Sequence, residues 1–310
     1  MSALAPLLEP LLTPWGLGLI GLIIGSFLNV VVHRLPLMLE RQWWADAVHL
    51  LGDADSYRKV FGQPAPAAAG ATASGLARQL EALPALGLAR PASRCPHCGH
   101  RIRWFENIPL VSWLALRGRC SACRAPIALR YPFIELLTGA LFAAVAWRFG
   151  GAPVALLWCA VVAVLLVLSA IDWDTTVLPD ALTLPLAWAG LVAAALGWTI
   201  PWADALWGAV AGYLSLWSVY WLFKLTTGKE GMGQGDFKLL AALGAWLGWQ
   251  AVLPIVLAAS VIGAVVGIGL KVSGGLREGR FVPFGPFLAG GGVAVLLIGL
   301  PQVLAWIGWA

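Results

Sequence analysis

From Arg130 onward the chain is almost continuously apolar, and the breaks fall at charges, glycines and prolines. Backbone groups in hydrocarbon must be satisfied within their own segment, and about 20 residues of helix cross a core roughly 30 Å thick. Runs near 131–149, 153–171, 180–199, 203–224, 237–249, 251–271 and 284–308 are read as spans, and Trp15–Val32 adds a first. The expected fold class is an all-α polytopic membrane protein with about eight transmembrane helices. The run 237–249 is short for a full crossing and is expected to be short, tilted or half-embedded. A composition of 60% hydrophobic and 11% charged residues, with mean hydropathy +0.83, excludes an ordinary soluble domain. Eighteen Trp against four Tyr suit interfacial belts.

The net charge of +5 sits in one place. Between Arg34 and Arg130 there are thirteen Arg/Lys against six Asp/Glu, a local balance of 13 − 6 = +7, while the rest of the chain is slightly acidic. The positive-inside rule accounts for this asymmetry without nucleic acid, and places the first loop in the cytoplasm and the N-terminus outside. Trp15–Val32 has no basic residue before it and no small-residue cleavage site after it, so it reads as a retained anchor. Alternating sides through eight spans puts nineteen of twenty Arg/Lys in cytoplasmic loops, with Arg148 outside, and sets both termini in the periplasm. Gly25 and Ser26 are small enough for close helix contact, and Asn29 can hydrogen-bond to a neighbouring helix.

The chain is expected to leave the membrane from Leu37 to Leu129, with Arg41–Leu51 as a short surface helix and Gln63–Pro91, rich in Ala, Pro and Gly, as a flexible linker. Cys95-Pro96-His97-Cys98 is then answered, 21 residues later, by Cys120-Ser121-Ala122-Cys123. Each pair offers two sulfurs from one tight turn, and two such turns close a tetrahedron, which points to structural Zn2+ held by Cys95, Cys98, Cys120 and Cys123. A cytoplasmic loop disfavours disulfides, and one redox pair needs no second copy. His97 and His100 are weaker candidate ligands, six arginines from Arg94 to Arg124 offset the thiolate charge, and Cys159 in an apolar run is a packing residue.

Asp236 follows Gly231-Met232-Gly233-Gln234-Gly235 where a polar loop enters an apolar run, and an acid at that depth asks for a partner. Asp172, Asp174 and Asp180 follow the span 153–171, and the hairpin 180–224 returns the chain to the same face. Two carboxylates brought together there cannot both ionise easily, and the pair can activate a water. Spacing alone does not choose among Asp172, Asp174 and Asp180, and Asp236 is equally a candidate helix cap. The glycines, Gly233 and Gly235 among them, allow a substrate strand or another helix to approach closely.

Taken together these residues resemble the type IV prepilin peptidase family, the prepilin leader peptidases/N-methyltransferases, which are membrane aspartic proteases with a G-x-G-D motif. The resemblance runs along Gly25-Ser26-Phe27-Leu28-Asn29, His33-Arg34-Leu35-Pro36, both cysteine pairs, Glu106-Asn107-Ile108-Pro109 and Ser112-Trp113-Leu114. It continues through Asp172, Leu178-Pro179-Asp180, Lys229–Gly233, Gly235-Asp236-Phe237-Lys238 and Pro283-Phe284-Gly285-Pro286. It implies that Asp172 and Asp236 are the catalytic pair. It also implies type IV prepilins and type II secretion pseudopilins as substrates, cut after a glycine at the cytoplasmic face of the bacterial inner membrane. The cysteine-bearing loop implies a second activity, methylation of the new N-terminal amine with S-adenosylmethionine; no residue is singled out for the donor. The implied domains are a first helix at 1–36, a loop domain at 37–130 and a seven-helix peptidase domain at 131–310. The rival readings are a presenilin-like intramembrane protease, whose C-terminal proline motif has no counterpart here, and a transporter or assembly scaffold whose acids relay ions.

Overall fold

The computed structural model describes residues 10–274 and 282–309, so Arg277 and Arg280 of the last basic loop lie outside the described residues. Among those described the chain is helical with no strand, only two isolated bridges at the cysteine turns.

Helix α1 runs unbroken over Pro14–Gly52, capped by the Thr13 hydroxyl, which accepts from the Gly16 N–H at 3.1 Å. Thirty-nine residues at 1.5 Å rise reach about 58 Å, roughly twice the bilayer core. The separate surface helix expected at Arg41–Leu51 is therefore the C-terminal end of α1, and Pro36 sits inside the helix rather than ending it. The stretch read as a linker also differs. After α2 (Ala54–Phe61) it carries α3 (Ala67–Glu81), whose buried Ala73 lies against Gly52 of α1. Beyond α3 the guanidinium of buried Arg34 donates to the carbonyls of Gly87 (2.9 Å), Leu88 (3.3 Å) and Pro91 (2.7 Å), and Arg41 donates to that of Pro84 (2.8 Å). Arginines projecting from α1 thus gather a segment that its own apolar content could not order.

The cysteine turns and the short α4 (Val111–Ala115) lead into the apolar half, α5 (Arg130–Phe149), α6 (Val154–Thr175), α7 (Asp180–Ala195), α8 (Trp202–Thr227), α9 (Gln234–Leu247), α10 (Trp249–Val272), α11 (Gly285–Ile298) and α12 (Leu300–Trp306). Five helices, α1, α5, α6, α8 and α10, are long and apolar enough to cross a membrane, and α11 with α12 makes a sixth if that pair, bent by 107°, is one span. The eight apolar runs are thus all helical, but fewer than eight have full spanning length. The run 284–308 breaks at Gly299 (φ +100°), and α7 and α9 are only 16 and 14 residues long.

Small residues set the packing, as expected where helices meet without a hydrophobic driving force. A Cβ on Gly21 would stand 2.8 Å from Gly139 Cα, and one on Gly25 2.7 Å from Glu135 Cα, so α1 and α5 touch backbone to backbone. The Asn29 amide donates to the Tyr131 carbonyl at 3.1 Å, fixing their register. On the other side, Gly208 of α8 meets Gly244 of α9 and Gly212 meets the Leu240 carbonyl, again with no room for a Cβ. Trp246 completes the seat of α9 by lying on Gly190 and donating its indole N–H to the Leu186 carbonyl at 2.8 Å. Most of α9 is buried in consequence, and its first turn carries Asp236.

Candidate active site

Asp172 and Asp236 come from different helices to the same end of the bundle, and both are buried, at 5% and 6% exposure. Asp172 stands in the last turn of α6, where its Oδ2 accepts the backbone N–H of Gly285, the first residue of α11, at 3.0 Å. A Cβ on Gly285 would be 2.6 Å from that oxygen, so only glycine brings the amide this close without displacing the carboxylate. Asp236 is the third helical residue of α9; the N-cap is Gly233, so the acid is not the cap, and its place in the first turn suits the helix dipole. Leu178 lies between the two positions, packed on Gly235 next to Asp236 and on Gly285 beside Asp172.

The other two candidate acids are engaged elsewhere. Asp174 is paired with Arg130 at 2.6 Å, and Asp180 accepts from Lys238 Nζ with both oxygens at 2.7 Å. Both pairs are partly to well exposed. The two glycines expected to admit a substrate also separate: Gly235 is taken up by Leu178, whereas a Cβ on Gly233 would meet only the Asp236 carboxylate, at 3.7 Å. The loop before Gly233 is tied back to α8 by Glu230, which accepts from Lys224 at 2.8 Å and from the Tyr220 hydroxyl at 3.2 Å; the Tyr220 ring in turn meets Phe237 at 5.5 Å. Gly285 and Glu230 lie in stretches that carry the resemblance but received no role from the sequence, and Tyr220 lies in none; the partner of Gly285 is 113 residues away.

The four sulfurs of Cys95, Cys98, Cys120 and Cys123 all lie within 4.8 Å of one another, with Cys95 and Cys123 at 3.8 Å. A tetrahedron with metal–sulfur bonds of about 2.3 Å has edges of about 3.8 Å, so the donor set fits one tetrahedral ion. The two turns repeat each other. Cys95 accepts from Gly99 N–H while its own N–H donates to the His100 carbonyl, both at 2.9 Å; Cys120 accepts from Arg124 at 3.0 Å and donates to Ala125 at 2.9 Å. The residue after each pair, Gly99 or Arg124, is left-handed. Backbone N–H groups of Cys98 and His97 pull the Cys95 thiol down to about 7, and those of Cys123 and Ala122 lower Cys120 in the same way, which favours thiolates at these two positions, while burial and the neighbouring sulfurs push Cys123 up to about 11. His100 faces Glu106 at 3.2 Å instead of the sulfurs. The Ser121 hydroxyl, the Arg103 N–H and His100 together hold Glu106 down to about 2, so one carboxylate links the two turns. Cys159 is buried in α6, as a packing residue should be.

The fold and these sites define a class, a multi-helix membrane protein with two buried carboxylates at one end of its bundle and, on its loop, a four-cysteine cluster that could hold a metal ion. Residues 19–149 match the Bacterial Peptidase A24 N-terminal domain, and residues 159–268 match the Type IV leader peptidase family. The "Prepilin leader peptidase/N-methyltransferase" of Aeromonas hydrophila is 51% identical over 91% of this chain and 89% of its own length. Proteins of the same name from Stutzerimonas stutzeri and from Burkholderia pseudomallei (strain 1026b) are 50% and 49% identical, over 90% and 92% of this chain and 89% and 85% of theirs. The chain belongs to the type IV leader peptidase family. No solved structure matches it.

Proposed function

We propose that this chain cleaves the leader peptides of type IV prepilins and type II secretion pseudopilins after a glycine at the cytoplasmic face of the inner membrane. It then methylates the new N-terminal residue, usually Phe, with S-adenosylmethionine. The observation that carries the reading is the burial of Asp172 and Asp236 on two helices that share Leu178 between them, with Gly285 fixing the first. One carboxylate, ionised, takes a proton from a water held between the pair while the water oxygen attacks the scissile carbonyl carbon. The other, protonated, donates to the carbonyl oxygen, and the leaving amine is protonated as the C–N bond breaks. Gly233, open beside Asp236, is where the leader strand passes.

In the second activity S-adenosylmethionine supplies the methyl group from its sulfonium; the freed amine nitrogen forms the new N–C bond, its proton leaves to water, and the C–S electron pair stays on sulfur. Zn2+ at Cys95, Cys98, Cys120 and Cys123 holds the loop in shape over the membrane face. The domains follow as 1–36, 37–130 and 131–310, with both termini periplasmic and the basic loop cytoplasmic. The two activities suit one enzyme because the prepilin's apolar helix remains in the bilayer while its cut end stays at this face. Mass spectrometry of a mature pilin N-terminus from cells with and without the protein tests both at once. The expected product is leaderless and N-methylated; an intact leader in cells that hold the protein contradicts the reading.

A further inference from the structure

We propose that the cleft between α1, α5 and α6 binds the methyl donor, an inference that rests on the N-methyltransferase activity proposed above. The half-open cleft has a volume of about 420 Å³, within the usual range for a small-molecule site. Its walls are pinned. Asn29 holds α1 to the start of α5 through the Tyr131 carbonyl, and Arg130 holds α5 to the end of α6 through Asp174 and, at 3.3 Å, the Ala170 carbonyl. Asn29, Arg130, Tyr131 and Asp174 all line the space, with His33 and Glu40 along α1.

Its position answers a need of the two-step reaction. Two residues along a helix rotate a side chain by about 200°, so Asp172 and Asp174 point to opposite sides of α6. Asp172 meets Gly285 and Asp174 lines the cleft. An amine released at the acid pair has only the end of one helix to pass before it reaches the cleft, and its own apolar helix need not leave the bilayer. The α1 stretch carrying Asn29 and His33 takes no part in the carboxylate site, and this placement gives it work.

The chemistry of the walls matches the donor. S-adenosylmethionine joins an ammonium and a carboxylate to a sulfonium and an adenine, one net positive charge in all. Glu40 and Asp174 against Arg130 give the cleft a net −1, leaving the imidazole aside. Glu40 is exposed and takes part in no ion pair among the described residues, so its carboxylate is available to the ammonium. Arg130 keeps N–H donors beyond those given to Asp174 and the Ala170 carbonyl for the ligand's carboxylate, and the Tyr131 ring, 45% exposed, is placed for the sulfonium or the adenine. A lipid headgroup bearing phosphate and ammonium shares part of this pattern, but it has no adenine to stack on Tyr131.

The test is isothermal titration of the full-length, zinc-loaded protein in detergent with sinefungin, in which an amine-bearing carbon replaces the sulfonium and turnover is impossible. Glu40→Gln removes the carboxylate, and Ala128→Trp fills the cleft from its exposed wall without touching a charge. Each is expected to weaken binding at least tenfold while zinc content and helical circular dichroism stay unchanged. Binding by both variants within twofold of the unaltered protein overturns this site and leaves the methyl-transfer reading standing. No binding by the unaltered protein overturns both. Binding lost only when ethanolamine-headgroup lipid is added assigns the cleft to lipid instead.

Discussion

The backbone N–H of Gly285 donates to Oδ2 of Asp172 at 3.0 Å across 113 residues of sequence, and a side chain at 285 would collide with the same oxygen. The first turn of α11 therefore positions an acid on α6. Gly285→Ala is expected to move that carboxylate by a fraction of an ångström to an ångström, which lowers prepilin cleavage by about 10²-fold. The effect should fall on kcat, because leader binding does not depend on this contact. Steady-state cleavage of a purified prepilin, with KM and kcat separated, checks it; an unchanged kcat would show that the contact does not position the acid.

Asp236 depends on the seat of α9. At Gly244 a Cβ would run into the Gly208 carbonyl of α8, and backbone on both sides leaves nothing flexible to yield. Gly244→Ala should destabilise the protein in detergent by about 1–3 kcal/mol, the range for overpacking. Gly290→Ala, where a Cβ meets nothing within 4 Å, serves as control and should leave stability unchanged or raise it by up to about 1 kcal/mol. Thermal unfolding of the two variants side by side distinguishes a local collision from a general intolerance of glycine replacement.

At the loop, four sulfurs within 4.8 Å of one another are expected to hold one zinc ion per chain. Cys95→Ser with Cys98→Ser should abolish bound zinc by elemental analysis and speed proteolysis between residues 92 and 129. Chelation of the unaltered protein should produce the same cleavage pattern, since binding energy in such a site is folding energy. Full metal content in the double variant would exclude the four-thiolate centre.

Much of this arrangement is legible in the sequence because it is local. The apolar runs give the helices and the two cysteine pairs give a cluster that could hold a metal, whereas the expected eight crossings exceed the five or six helices of spanning length. The choice among Asp172, Asp174 and Asp180 is not legible by spacing, because it is made by Arg130 and Lys238, the latter 58 residues from its partner Asp180. The order of Ala67–Glu81 was hidden for the same reason: its composition reads as a linker, while Arg34 and Arg41 secure the turn that follows from 43 to 57 residues away. Span length is the third case. Apolar content marks α7 and α9 as membrane helices, but their ends are set by Leu196 and by Gly248 (φ +89°), and the short α9 is mostly buried among its neighbours.

The central claim is that Asp172 and Asp236, not Asp174 or Asp180, form the cleaving pair. The most direct measurement is prepilin cleavage in membranes holding the Asp172→Asn, Asp236→Asn or Asp180→Asn protein at matched abundance. The first two are expected to lose at least about 10²-fold in rate, the lower bound for removing a general acid or base. The third, which breaks only the exposed pair with Lys238, should stay within about fivefold of the unaltered enzyme. Cleavage by Asp172→Asn or Asp236→Asn at the unaltered rate would contradict the account.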